Sequence, residues 1–133
     1  MKSDSTNGKS KIKKFVSIDT FLDNRNIQAQ MVPRTVEQLQ KFNISSEKKS
    51  QLEYFFYSNS AEKAARLAAE MKKLNYIVYD ETPAANKELF STNGLTTKMQ
   101  MSDEVLIQWA KEMCEIGYTF DCEFDGWGTL IDQ

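Results

Sequence analysis

The sequence predicts an α+β domain in which a strand–helix–strand unit occurs twice. An internal correspondence 42 positions apart is the first observation behind this. Ser60, Glu62, Ala68, Glu70, Met71, Tyr76 and Glu81 recur as Ser102, Glu104, Ala110, Glu112, Met113, Tyr118 and Glu123. Apolar character is kept where identities change: Ala64 with Leu106, Leu67 with Trp109, Leu74 with Ile116, Val78 with Phe120. The second observation is that each copy opens at a serine suited to cap a helix and shows an apolar face at spacings of three and four. Each copy then closes at Asn75 or Gly117, residue types that tolerate the left-handed stop of a helix. The third is a pair of strand-like stretches ahead of the helices, Gln51 to Tyr57 and Thr96 to Met101. Two βαβ halves on one sheet make a ferredoxin-like βαββαβ sandwich: four antiparallel strands, with right-handed crossovers setting both helices on one face.

Element by element, residues 1–14 are polar, lysine-rich and without periodicity, which reads as a flexible basic tail. Residues 15–45 read as an N-terminal helical extension. Asp19 suits the cap of a short helix carrying Phe21 and Leu22, and Pro33 suits the first turn of a second one carrying Val36, Leu39 and Phe42. The main domain takes residues 46–133. In its first strand Leu52, Tyr54 and Phe56 share one face and Glu53, Phe55 and Tyr57 the other. A helix from Ser60 follows, then a strand from Tyr76. The connection from Thr82 to Gly94 is turn-rich, with Pro83, Asn86, Asn93 and Gly94. The second copy repeats the plan from Thr96 and ends in Gly126-Trp127-Gly128, where two glycines let the backbone turn beside the largest side chain.

Composition narrows the functional classes. A chain of 133 residues, 41% hydrophobic and 27% charged, suits one globular domain. Its net charge of −2 lacks the basic stripe of a nucleic-acid binder, and the one basic cluster (Lys9, Lys11, Lys13, Lys14) reads as a solvated tail. With no histidine, the commonest general base and metal ligand are both missing. Cys114 and Cys122 read as buried small hydrophobes in a reducing compartment. There is neither a membrane-length apolar run nor a secretory leader pattern, so the expectation is a soluble cytoplasmic protein without cofactor, metal or catalytic residues.

The final strand carries the chemistry that remains. Asp121, Glu123 and Asp125 alternate, so they are expected on the open face of the sheet, with Phe120, Cys122 and Phe124 toward the helices. Paired carboxylates can serve acid–base chemistry or a divalent cation. Without a phosphate loop, a histidine or a second matching set, they read as a solvated acidic face. Whichever face of the first strand is buried, an aromatic remains on the open side. RNA-recognition modules use such aromatics for stacking, yet here three carboxylates would repel phosphate and the basic glycine-rich RNP1 pattern is missing. Trp127 suits either closing the core or contacting a protein partner. The candidate partner-binding set is Tyr57, Asp121, Glu123, Asp125, Gly126, Trp127 and Gly128.

Phe120 to Thr129 (Phe-Asp-Cys-Glu-Phe-Asp-Gly-Trp-Gly-Thr) resembles the signature ending of the RraB family, the regulators of ribonuclease E activity, type B. Asn75 to Glu81 is similar to that family's Gly-Tyr-x-Val strand, and the arrangement agrees over about residues 50–129. The resemblance implies a ferredoxin-like, non-enzymatic protein that binds a protein partner, ribonuclease E or an analogous ribonuclease, and lowers RNA turnover. Its best-known members are strongly acidic, whereas this chain carries −2. An RNA- or small-ligand-binding module and a small acidic immunity or adaptor protein are the alternatives. Neither nucleic acid nor membrane is expected as a direct partner, and the expected state is a monomer or weak dimer.

Overall fold

The computed structural model describes residues 13–42, 48–79 and 89–129. Lys9, Lys11, most of the Thr82–Gly94 connection and the last four residues lie outside them. Helix α1 (Ile18–Gln40) begins where Ser17 Oγ accepts the Thr20 N–H at 3.1 Å. It continues through Pro33 for 23 residues, so the two short helices expected on either side of that proline are one. An interior proline forfeits a hydrogen bond and costs roughly 3 kcal/mol. Val32, Val36 and Leu39 are buried on one face of the same helix, and burial of such side chains contributes about 1.5–3 kcal/mol each, enough to carry the helix past the break.

The remaining elements are β1 (Lys49–Ser50), β2 (Leu52–Ser58), α2 (Ala61–Lys73), β3 (Ile77–Val78), β4 (Phe90–Leu95), β5 (Met99–Gln100), α3 (Asp103–Thr119) and β6 (Glu123–Thr129). Ser60 and Ser102 cap α2 and α3, as their spacing predicts. The main sheet has the order β3-β4-β2-β6 with every neighbouring pair antiparallel, and β1 pairs separately with β5. The fold class is α+β.

Two boundaries differ from the expected ones. The strand that enters the main sheet ahead of α3 is Phe90–Leu95, largely within the stretch read as turn-rich; of Thr96 to Met101 only Met99–Gln100 is strand, and it pairs with β1 outside that sheet. Gly94 is a strand residue because two groups crowd it. Tyr54 Oη donates to the Ile77 carbonyl at 2.8 Å, and a Cβ on Gly94 would strike that carbonyl and lie 2.6 Å from the phenol oxygen. Thr96 instead ends the strand: its Oγ1 accepts from Leu52 N at 3.0 Å and donates to the Thr97 carbonyl at 2.6 Å.

The second difference is at the end of α3. Asn75 does adopt the left-handed conformation after α2 (φ 66°), but the equivalent residue after α3 is Asp121 (φ 59°), not Gly117. Gly117 stays helical, and its lack of a side chain serves packing: a Cβ there would come 2.9 Å from the Phe56 ring and 2.7 Å from the Cys122 carbonyl. The last strand accordingly starts at Glu123 rather than Tyr118.

Leu52, Tyr54 and Phe56 are fully buried under the helices, with Leu67, Met71, Leu106, Met113 and Phe124. Aromatic rings link the layers: Phe56 to Phe124 at 5.2 Å, and Trp109 of α3 edge-on to Phe124 at 5.9 Å. Helix α1 lies beside α3. Phe21 stacks on Tyr118 at 4.5 Å, and Asn24 Nδ2 donates to the Phe124 carbonyl at 2.8 Å on the edge strand. Phe21, Val32, Val36 and Leu39 thus belong to the same core as the sheet.

Candidate partner-binding surface

A break in register decides what β6 presents. Tyr57 lies opposite Glu123 and Phe56 opposite Phe124, but Phe55 lies opposite Gly126, so Asp125 is an extra, unpaired residue. Such a bulge shifts side-chain parity by one. Without it, Glu123, Asp125 and Trp127 would share the open face. With it, Glu123, Gly126 and Gly128 occupy that face, while Phe124 and Trp127, opposite Phe56 and Tyr54, point toward the helices. Gly126 has φ 144°, a conformation that side chains rarely adopt, which is why a glycine stands at the bulge.

Trp127 is half-buried and meets Trp109 edge to face, with ring centroids 6.0 Å apart and planes at 85°. Trp109 Nε1 in turn donates to Tyr76 Oη at 3.2 Å. The tryptophan of the corner is therefore coupled to the core through α3.

On the open side, Phe55 and Tyr57 are half-buried and stand in line with Glu53 on β2. Register sets Ser91, Asn93 and Leu95 beside them, with Ile77 beyond Leu95. Ile77 is 50% exposed and Tyr79, whose Oη is 3.4 Å from Glu53 Oε2, is 40% exposed, so this face is not closed over among the described residues. A Cβ on Gly126 or Gly128 would meet nothing within 4 Å. The two glycines leave a strip of bare backbone next to Phe55. Alternation in the sequence required an aromatic on this side, and the packing makes Phe55 one of them. Leu95 and Asn93 were not foreseen, because their strand was read as a loop.

Asp121 sits apart from this face, in the turn before β6. Its carboxylate accepts from Phe15 N at 2.7 Å and Val16 N at 2.8 Å and pairs with Lys63 Nζ at 2.5 Å. Lys63 also donates to the Lys13 carbonyl and to Asn59 Oδ1, at 2.8 and 2.9 Å. This clasp fixes the chain entering α1. Partial burial by itself pushes the Asp121 carboxyl up, but the Lys63 hydrogen bond, the two backbone N–H donors and the Lys63 charge together hold it below its ordinary value. Glu123 is shifted the other way, raised by burial and by the neighbouring Asp125 charge. Asp125 is exposed at the bulge.

The seven sequence-derived candidates thus separate. Tyr57, Glu123, Gly126 and Gly128 share the open face, Asp125 and Trp127 border it, and Asp121 serves the clasp. Among the described residues there is no group of three or more side chains placed to hold a metal ion. No described helix is long and apolar enough to cross a membrane. An open, aromatic-bearing sheet face with carboxylates and no clustered cations suits contact with a protein rather than with phosphate.

No curated protein matches the chain at a significant level. A family match does exist, to RraB, described as regulator of ribonuclease activity B, and it spans residues 15–129, α1 included. That span takes in the clasp, both tryptophans and the glycine corner. The chain belongs to the RraB family of regulators of ribonuclease activity.

Proposed function

We propose that this protein is a non-catalytic cytoplasmic regulator that binds a protein of the RNA-degradation machinery, ribonuclease E or an analogous ribonuclease, and lowers its activity. Its sheet, ordered β3-β4-β2-β6 with α2 and α3 between its strands, is read as the ferredoxin-like arrangement. The contact surface is the open face of that sheet, centred on Phe55 and Tyr57 and bordered by Glu123, Asp125 and the Gly126-Trp127-Gly128 corner. The observation that carries this reading is the bare strip over Gly126 and Gly128 beside Phe55, in a chain of a ribonuclease-regulating family. Missing side chains at two alternate positions let a partner's backbone approach the sheet, with Phe55 and Tyr57 as anchors.

The test is RNA cleavage by purified ribonuclease E with and without this protein, together with a pull-down from the native host. Slower cleavage and recovery of a ribonuclease or RNA-degradation component are expected. Gly128→Lys, whose Cβ meets no atom within 4 Å, puts a long side chain over the strip and is expected to abolish both while leaving the fold intact. Unchanged cleavage together with a pull-down free of such components sinks the reading.

A further inference from the structure

At the N-terminal end of α3, on the helix-bearing side, an open groove of about 990 Å³ has Tyr76, Met99 and Trp109 in its wall. Asp103, Glu104 and Glu112 also line it, and among the described residues no lysine or arginine does. None of the ion pairs among the described residues uses these three carboxylates; Glu112 accepts only from the Gln108 amide, at 3.2 Å. The Tyr76 phenol is raised by burial; the Trp109 hydrogen bond opposes this shift and the nearby Glu112 charge adds to it. Apolar wall and acidic lining coexist, and neither is matched among the described residues.

We infer that this groove docks a lysine- or arginine-bearing segment of the protein partner, whose apolar side chains cover Met99, Tyr76 and Trp109 while its cations meet Asp103, Glu104 and Glu112. Long cationic side chains suit such a site because their stems lie on apolar surface and their heads reach the carboxylates. The chain's own basic tail fits worse. Lys13 is held near Asp121, at the opposite end of α3 from Asp103. At 1.5 Å per residue the helix separates those ends by roughly 25 Å. Lys11 and Lys9 precede Lys13 by two and four residues, and an extended chain covers at most ~3.6 Å per residue, about 14 Å for the farther of them. Neither spans that distance; Lys2, 11 residues from Lys13, has the contour length to do so, about 40 Å, and is varied with them in the test. The inference rests on the protein-partner reading but not on the partner being a ribonuclease.

The probe is a fluorescein-labelled peptide of alternating arginine and leucine, compared with one of alternating glutamate and leucine. Binding to the full chain is followed by fluorescence anisotropy at low and physiological salt. The arginine peptide is expected to bind, the glutamate peptide not to bind, and salt to weaken binding. The triple variant Asp103→Asn, Glu104→Gln, Glu112→Gln is expected to weaken it about tenfold or more. A control with the same charge change elsewhere (Glu62→Gln, Glu70→Gln, Glu115→Gln) is expected to stay within about twofold of the parent. Equal losses in the two triple variants, or binding of both peptides alike, overturn the inference. So does a severalfold gain in affinity on Lys2→Gln with Lys9→Gln and Lys11→Gln, since that would assign the groove to the chain's own tail. None of these results bears on Gly128→Lys, so the open-face reading stands or falls separately.

Discussion

Lys63 Nζ and Asp121 Oδ2 lie 2.5 Å apart although 58 residues separate them in the chain. They join the start of α2 to the turn after α3, and through Phe15 and Val16 they also fix the entry to α1. One carboxylate therefore ties the entry to α1 and the start of α2 to the end of α3.

Replacing Asp121 with alanine strands two backbone N–H donors and the Lys63 ammonium, and puts a Cβ without local support at positive φ. The expected loss is about 3 kcal/mol in urea-unfolding stability. Asp121→Asn, which keeps an acceptor and tolerates the left-handed backbone, is expected to lose less. Amide exchange at Phe15 and Val16 should accelerate in both. A loss below about 0.5 kcal/mol for the alanine variant would contradict the anchoring role.

Acid titration should separate Asp121 from Glu123. The folded Asp121 carboxyl lies below its ordinary value of 3.8, so its stabilisation is present above that pH and is lost as pH falls through the folded value. Glu123 lies above its ordinary 4.5, so its contribution is present below that pH and is lost as pH rises through the folded value. Glu123→Gln is therefore expected to be more stable than the parent at neutral pH, with the gap closing on acidification below about pH 4. Asp121→Asn should show the reverse: destabilised at neutral pH and converging with the parent only in stronger acid. Thermal melts at several pH values read both slopes.

Glycines of one sheet should respond differently. Gly94→Ala drives a methyl into the Ile77 carbonyl and the Tyr54 phenol, and a loss of roughly 2–4 kcal/mol is expected, with β3 displaced. Gly128→Ala meets nothing and should stay within about 0.5 kcal/mol of the parent. Equal losses at the two sites would contradict the strand pairing described above.

The tryptophan pair lends itself to a double-mutant cycle. Trp109→Ala empties a buried site and is expected to cost about 3–5 kcal/mol, and Trp127→Ala less because it is half-buried. Their edge-to-face contact should appear as a coupling of about 0.5–1.5 kcal/mol. Additive losses would mean that the corner does not communicate with α3.

Burial pushes the Cys114 thiol up to about 12 and the Cys122 thiol up to about 11. With so little thiolate and so little access, alkylation of the native protein at pH 8 is expected to be on the order of 100-fold slower than in urea. Rapid native labelling of either thiol would show that the core opens more readily than its packing implies.

Local chemistry made the helices legible. Ser60 and Ser102 cap α2 and α3 because a hydroxyl satisfies first-turn N–H groups wherever it occurs. The alternation of β2 likewise foretold that Leu52, Tyr54 and Phe56 share one face and Glu53, Phe55 and Tyr57 the other, since the pleat fixes it, but only the packing decided that the first set is buried. Pro33 misled because proline's cost is local and the burial that offsets it is not. Gly117 and Gly94 misled for a related reason: each reads as a stop or a turn, yet each is glycine because Phe56 or Tyr54 passes close by.

The candidate surface was half visible. Tyr57, Glu123 and the glycine corner came from pattern and family resemblance. Core closure by Trp127 was one of the two roles its sequence context offered, but the bulge that turns it inward and the withdrawal of Asp121 into a clasp were not visible, because both depend on contacts between distant segments.

Sequence by itself determined the twofold strand–helix–strand plan, the division of β2 side chains into two faces, and membership of a ribonuclease-regulating family. These follow from periodicities of two and of three to four, from capping hydroxyls and from a short ending motif, all carried by neighbours in the chain. Tertiary structure alone decided the parity of β6, the length of α1 and the placement of an acidic-lined groove beside Trp109. A one-residue bulge reverses which side a strand shows, and whether it forms is settled by the strand opposite, here Phe55 and Phe56 of β2.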